Sequence, residues 1–205
     1  MKKTVIYMVA ILLVSVFVAA MPISGEEEIY DGVIRLHILA ASDDEADQEL
    51  KLAVRDAILR EHSAQLLDAE NVDAAEAEVL ALCDSVRDTA EGVIHAAGYA
   101  YTVNIDYGRE SYPTRAYGDY TLPAGEYRSL QVIIGEGTGK NWWCVLFPPL
   151  CLDMATEDAP SDDALSVGLT DGAISIITGD SGDVGYRVRF KSLELLEGVF
   201  SRRRR

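Results

Sequence analysis

The first twenty residues contain the feature that most constrains this chain, a long apolar run without charge. Lys2 and Lys3 precede it, Thr4–Ala20 is rich in Val, Ile and Leu, and the next charge is Glu26. A basic start, an apolar centre and small closing residues are typical of an export signal, with cleavage expected after Ala20. The alternative is an uncleaved anchor, because the run approaches the ~20 residues that span a bilayer. In both cases we expect the remaining residues to lie on the far side of the membrane, with the two lysines on the cytoplasmic side.

The remainder of the chain is acidic. The 205 residues include 34 Asp and Glu against 18 Lys and Arg, a formal net charge of -16, and every acidic residue follows Gly25. A surface of this charge repels phosphate backbones, so nucleic acid is not an expected partner. The closing Arg202–Arg205 contrasts with this, and is either a contact for anionic lipid or a solvated tail.

The first half of the mature region predicts a strand and two helices. Val33–Ala41 alternates as a β-strand does, and Ser42 with Glu45 forms a capping box that begins a helix reaching about Leu67. A second helix is predicted from Asn71 to Ala97, with Gly98 as its stop.

The second half favours strands. The predicted longer strands are Tyr99–Tyr107, Tyr127–Ile134 and Trp142–Phe147, the shorter ones Ala173–Thr178 and Tyr186–Phe190, with a loop at Thr156–Asp163 and a short helix at Lys191–Phe200. The order of elements predicts a single α+β domain over residues 26–200, with a mixed β-sheet packed by two long helices. A signal segment, residues 1–25, precedes this domain, and a basic tail, residues 201–205, follows it.

Three cysteines leave at least one thiol unpaired in a monomer. Cys83 lies in the apolar stripe of the second helix and is expected in the core. Cys144 and Cys151 are close enough in sequence to form a disulfide, and buried free thiols are the alternative. Neither the cysteines nor His37, His62 and His95 have the spacing of a metal motif, so we expect no metal and no cofactor.

The glycine-rich segment 135–141 resembles a phosphate-binding loop only superficially. Ile134 stands where a Walker loop needs its first glycine, and Asn141 stands where that loop needs Ser or Thr. We therefore interpret the segment as a turn between two strands.

No catalytic constellation is evident. An exported hydrolase that uses Ser42 as nucleophile and His37 as base is the alternative to a binding protein, but the nucleophile-elbow motif is absent and helix capping already explains Ser42. His62 and His95 are expected on solvated helix faces. We predict that the chain is not an enzyme.

Six aromatic and arginine residues are candidates for partner binding, because Tyr, Trp and Arg dominate interface hot spots. They are Arg115, Tyr117, Tyr120, Tyr127, Trp142 and Trp143. The alternative for about half of them is a tyrosine-lined sheet face and a core tryptophan. Adjacent residues of a strand point to opposite faces, so the two tryptophans are expected to do so as well.

Four segments together resemble the stage II sporulation protein R family. They are Ile34-Arg-Leu-His-Ile-Leu-Ala-Ala-Ser-Asp43 with the nearby Asp47-Gln48, Leu50-Lys51 and Val54-Arg-Asp-Ala57, then Tyr117-Gly-Asp-Tyr-Thr-Leu-Pro-Ala-Gly-Glu-Tyr127, Gly139-Lys-Asn-Trp-Trp-Cys-Val-Leu-Phe-Pro-Pro-Leu-Cys151 and Val188-Arg-Phe-Lys-Ser-Leu-Glu-Leu-Leu-Glu197. The second helix, the acidic loop and the arginine tail contribute nothing to the resemblance.

This resemblance implies an intercellular signal in endospore-forming bacteria. The forespore would export the protein into the space between its membrane and that of the mother cell. There the protein would activate a membrane-embedded aspartic protease, which cleaves the precursor of the sporulation factor sigma-E. The implied partner is thus this protease.

Overall fold

A computed structural model of the chain describes residues 2–19, 26–67, 69–117, 120–150 and 168–179. In chain order its elements are α1 (Lys2–Ala19), α2 (Glu26–Gly32), β1 (Ile34–Leu39), α3 (Glu45–Leu67), α4 (Val72–Ala96), β2 (Val103–Tyr112), β3 (Arg115–Tyr117), β4 (Tyr120–Leu122), β5 (Gly125–Ile134), β6 (Asn141–Phe147) and α5 (Asp171–Thr178). This is the α+β arrangement that the sequence predicts.

Helix α1 is apolar over most of its length, and its large side chains from Val5 to Val16 are exposed. Within the described residues, no helix has the length and hydropathy that crossing a membrane requires. The expected cleavage point after Ala20 lies outside the described residues.

Four strands form a mixed sheet in the order β2-β5-β1-β6. Strand β1 runs parallel to β5 and antiparallel to β6, and β2 runs antiparallel to β5. Because β1 lies inside the sheet, all six of its residues are buried. Its alternation sends Ile34, Leu36 and Ile38 to one face of the sheet and Arg35 and His37 to the other.

We call the face of the sheet that carries Ile34 the helical face, because α3 and α4 cover it. Helix α4 begins where predicted, because the Asn71 side chain accepts a hydrogen bond from the Ala74 N–H at 3.0 Å. It ends at Ala96, and Gly98, the predicted stop, has a φ of 84° that glycine adopts without strain. Most of its predicted apolar stripe is buried or half-buried against the sheet.

The predicted capping box is wrong in its register. Helix α3 begins at Glu45, and the first helical bond runs from the Gln48 N–H to the Asp44 carbonyl, so Asp44 occupies the cap position. Ser42 instead accepts a hydrogen bond from the Asp44 N–H and donates one to Asp47 at 2.6 Å. The buried Asp47 carboxylate competes for the hydroxyl, and this draws Ser42 into a turn before the helix.

We call the opposite face, which carries Arg35, the tyrosine face. It is covered by α2, by the hairpin of β3 and β4, and by α5. The strand predicted at Ala173–Thr178 is wrong, because this segment lies in α5. Thr170 caps the helix, and the buried Ala173 and Ile177 are four residues apart, as on one side of a helix. A short apolar run does not distinguish the two structures by periodicity alone.

Several predictions fall outside the described residues and stay predictions. These are the partner thiol Cys151, the loop at Thr156–Asp163, the strand at Tyr186–Phe190, the helix at Lys191–Phe200 and the arginine tail.

Candidate functional site

A fully buried arginine marks the tyrosine face. The Arg35 side chain is 0% exposed. Its guanidinium lies 3.9 Å from the ring centre of Tyr112 and 5.1 Å from that of Tyr127, and its Nη2 donates to the Tyr117 hydroxyl. We call these four residues the Arg35 cage. Tyrosine rings stabilise a cation through their electron-rich faces, and this offsets part of the cost of burying the charge.

A second buried network adjoins the cage. The His37 Nδ1 lies 3.0 Å from both carboxylate oxygens of Glu110, a residue of β2. The Ser129 hydroxyl donates to the same carboxylate at 3.2 Å and lies 2.6 Å from the Tyr112 hydroxyl. Tyr112 thus joins the His37–Glu110 pair to the Arg35 cage.

The protonation states of this network follow from its surroundings. Burial alone would raise the pKa of Glu110, but the hydrogen bond and charge of His37, with bonds from Tyr112 and Ser129, lower that pKa on balance. Burial raises the pKa of Tyr112, Tyr117 and Tyr127. At neutral pH the network therefore holds one carboxylate among uncharged phenols.

Trp143 forms the rim of the network. Its ring lies 5.6 Å from that of His37 and 5.9 Å from that of Tyr112, and the exposed Arg115 places its guanidinium 4.2 Å above it. The indole is half-buried, and the Glu110 side chain is 25% exposed. The buried network therefore reaches solvent beside Trp143 and Glu110.

The six candidates for partner binding lie in different environments. Tyr117, Tyr120 and Tyr127 are buried in the core of the tyrosine face, as the alternative interpretation expected. A buried side chain offers no area to a partner, so Arg115, Trp142 and Trp143 are the three whose side chains reach the surface.

The two tryptophans lie on opposite faces, as predicted. Trp142 packs against the core of the helical face, with Arg55 of α3 placing its guanidinium 5.1 Å from the ring. Trp143 packs against the core of the tyrosine face. Each tryptophan thus carries an arginine over its ring. The binding role of these residues stays a prediction.

The hydrogen bonds do not connect the proposed nucleophile with its base. The Ser42 hydroxyl bonds to Asp47, whereas His37 bonds to Glu110, and the buried His37 Nε2 has no hydrogen-bond partner among the described residues. A hydrolase needs the nucleophile within hydrogen-bond reach of the base. Ser129 lies near His37 but donates to Glu110 instead.

The expectation of a solvated His62 is wrong, whereas His95 is exposed as predicted. Only 6% of His62 is exposed, and its Nε2 lies 3.0 Å from the Thr89 hydroxyl of α4. The hydroxyl in turn donates to Glu61 at 3.0 Å, so His62 is a contact between the two long helices.

The glycine-rich segment is a turn between β5 and β6, as predicted, and it packs against the turn that precedes α3. The Gly139 N–H donates to the Ala40 carbonyl at 3.0 Å, and the buried Lys51 donates to the Lys140 carbonyl at 3.0 Å. Burial lowers the pKa of Lys51. These contacts join two of the segments that carry the family resemblance.

The cysteines differ in state. Cys83 is a free thiol packed against the helical core, and burial raises its pKa, which disfavours the reactive thiolate. Cys144 is disulfide-bonded and fully buried. Because Cys151 lies outside the described residues, the predicted pairing stays a prediction. No group of three or more potential metal ligands occurs among the described residues.

Glu110, Tyr112 and Ser129 were not selected as site residues from the sequence, and Arg35 was not identified as the residue around which the cage forms. One usable signal was the pair of polar residues Arg35 and His37 on one face of a strand whose other residues are apolar. Nothing local pointed to Glu110, which meets His37 across 73 positions of sequence.

Comparison with known proteins finds one family. The stage II sporulation protein R family matches residues 30–157, a span that includes the six described strands and the Arg35 cage. The chain is also 32% identical to stage II sporulation protein R of Bacillus subtilis (strain 168), over 98% of this chain and 100% of that protein. No solved structure gives a significant match.

Proposed function

Since the chain belongs to the stage II sporulation protein R family, we propose that it is an exported sporulation signal that activates a membrane-embedded aspartic protease of the mother cell. The protease would then cleave the sigma-E precursor. The observation that carries this proposal is the identity with the Bacillus subtilis protein, which extends over nearly the whole of both chains. The charge-free N-terminal segment supports export to the space between the forespore and the mother cell.

A binding role is also supported by the chemistry of the described residues. The proposed Ser42 and His37 pair has separate hydrogen-bond partners, so the hydrolase alternative has no supporting contact in the described part of the chain. An activator must bind the active state of its receptor more tightly than the inactive state, because only differential affinity shifts an equilibrium.

Arg115 and Trp143 are the candidate contact with the protease. The exposed guanidinium lies over the half-buried indole, and such rigid pairs bury large areas at small entropic cost. Both side chains are held by β-structure, which fixes their position before a partner arrives.

A reconstitution tests the activity. The full chain, the protease and the sigma-E precursor from the same organism are produced together in a host that does not sporulate, and precursor cleavage is followed by immunoblot. Cleavage that requires all three proteins supports the proposal. An uncut precursor, with all three proteins present and the chain exported, contradicts it.

Arg115→Ala tests the contact in the same assay. We expect cleavage to fall by roughly tenfold, because hot-spot side chains contribute about 1–2 kcal/mol or more to binding. The matched control is Arg87→Ala, which removes an arginine of α4 that reaches solvent and forms an ion pair with Asp84 on the same helix. Equal cleavage with both variants would show that Arg115 does not contact the protease.

Ser42→Ala separates the proposal from the hydrolase alternative. A signalling protein keeps its activity without this hydroxyl, provided that the variant folds. Loss of cleavage by a folded Ser42→Ala protein would favour the hydrolase.

A further inference from the structure

The buried Arg35 has more hydrogen-bond donors than partners. A guanidinium carries five N–H donors and stays charged at any physiological pH. Nη2 donates one of its two N–H groups to Tyr117, whereas Nε and Nη1 have no partner within the described ranges, which leaves four of the five N–H donors unused in a side chain that is 0% exposed. Buried charges are normally paired with an opposite charge, because taking an unpaired ion out of water is costly.

The tyrosines of the cage do not satisfy these donors. A ring interacts with the flat face of the guanidinium, and the Tyr112 ring lies 3.9 Å from its carbon. The N–H donors lie in the plane of the guanidinium and point along its edges. Stacking on a ring therefore fixes the plane of the Arg35 group and leaves its edges available to an acceptor in that plane.

A further donor without a partner lies in the same network. The Trp143 Nε1 is buried and bonds to no described residue, and its ring contacts that of Tyr112, which in turn stacks on Arg35. The Glu110 carboxylate already accepts from His37 and Ser129. Around Arg35 the N–H donors of this network therefore outnumber the acceptors.

We propose that the Arg35 cage opens beside the half-buried Trp143 and binds a carboxylate, which accepts hydrogen bonds from the edge that the second N–H of Nη2 forms with Nε or with Nη1. One carboxylate balances the one charge of Arg35, and its two coplanar oxygens match the edge of a guanidinium. A phosphate dianion would leave one negative charge beside the uncharged tyrosines. The site does not depend on the proposed signalling role.

Thermal unfolding of the full chain in mild detergent tests the site with acetate as probe. Sodium acetate is exchanged for sodium chloride at constant ionic strength and about pH 7. We expect a saturable rise in Tm of about 2–4 °C, because a ligand that binds only the folded state stabilises it. Arg35→Met is expected to lose this rise, whereas Arg87→Met, which removes an arginine of α4 that forms an ion pair with Asp84, should retain it.

A rise that persists in Arg35→Met, or no saturable rise in the native chain, overturns the proposal. A rise with phosphate but not with acetate overturns it as well. If Arg35→Met does not fold, arginine Nε–H resonances of the native chain decide the question. Acetate must then shift a resonance that is protected from exchange with water, and no such shift overturns the proposal.

Two sources of the carboxylate are distinguished in a further arm. A hexapeptide with a free C-terminal carboxylate is compared with the same peptide bearing a C-terminal amide. A Tm rise with the acid at lower concentration than with acetate, and none with the amide, identifies a peptide terminus. A rise with acetate alone identifies a small-molecule carboxylate. No Tm rise with acetate and none with the free-acid peptide overturns the proposal.

Discussion

Two buried histidines of this chain have opposite kinds of partner. His37 bonds to a carboxylate, whereas His62 bonds to a hydroxyl and lies between two helices. Burial lowers the pKa of His62, because the charged imidazolium loses its hydration, and the nearby Glu61 offsets only part of this effect. The location of a histidine in the fold, and not its place in the sequence, decides its response to pH.

The lowered pKa of His62 predicts a loss of stability on mild acidification. The folded state binds this proton less readily than the unfolded state does, so its contribution is complete above the ordinary histidine pKa of 6.5 and is lost as pH falls through the folded value. We expect the free energy of unfolding, measured with urea at about pH 7.5 and about pH 5.5, to fall with acidification. His62→Gln should reduce this fall. An identical fall in the free energy of unfolding of His62→Gln would show that His62 is not the group responsible.

The lowered pKa of Glu110 predicts a second dependence, at lower pH. Its ionised form is stabilised in the folded state, so this contribution is present above the ordinary glutamate pKa of 4.5 and is lost as pH falls through the folded value. Glu110→Gln should cost about 1–2 kcal/mol at neutral pH, since it weakens bonds of a charged group. The difference in free energy of unfolding between the native protein and Glu110→Gln, measured with urea, should become smaller as the pH falls below the ordinary glutamate pKa of 4.5. A difference that is independent of pH would show that packing, and not charge, is responsible.

At the scale of elements, local patterns predicted the two long helices and the strands β1, β5 and β6, whereas α2, β3 and β4 were not predicted. The strand predicted at Tyr99–Tyr107 is displaced along the chain, because β2 runs over Val103–Tyr112. The alternation of β1 and the cap of α4 at Asn71 are encoded by neighbouring residues, and both were predicted correctly. The capping box at Ser42 failed because Asp47, five positions away, takes the hydroxyl. The strand predicted at Ala173–Thr178 failed because a short apolar run fits either structure. Local signals were thus sufficient only where no tertiary contact competed with them.

Gly139 tests how tightly the glycine-rich turn packs against the turn before α3. A Cβ at this position would lie 2.1 Å from the Ser42 carbonyl oxygen, a backbone atom that cannot move aside by itself. We expect Gly139→Ala to lower the free energy of unfolding by about 3 kcal/mol, measured with urea. Gly108→Ala is the control, because no described residue comes within 4 Å of its added Cβ. Equal effects of the two changes would contradict this packing.

At the scale of the whole molecule, one sheet separates two different interiors. The helical face is an ordinary apolar core, whereas the tyrosine face buries Arg35, His37 and a set of phenols. The sequence predicted the fold class and the alternation of β1. It could not predict that Arg35 meets Tyr117 across 82 positions, since such contacts depend on how the hairpin folds over the sheet. The candidate site was therefore recognisable in part, through its tyrosines, but not in its centre.

The proposed function requires the chain to act as a signal from outside the membrane of the producing cell. The most direct test compares precursor cleavage by the full chain with cleavage by a chain that lacks residues 2–25, in a host that makes the protease and the sigma-E precursor. We predict cleavage with the full chain only, with both forms present at equal amounts. Equal cleavage by the form without the apolar segment, shown to remain in the cytoplasm, would contradict the proposed function.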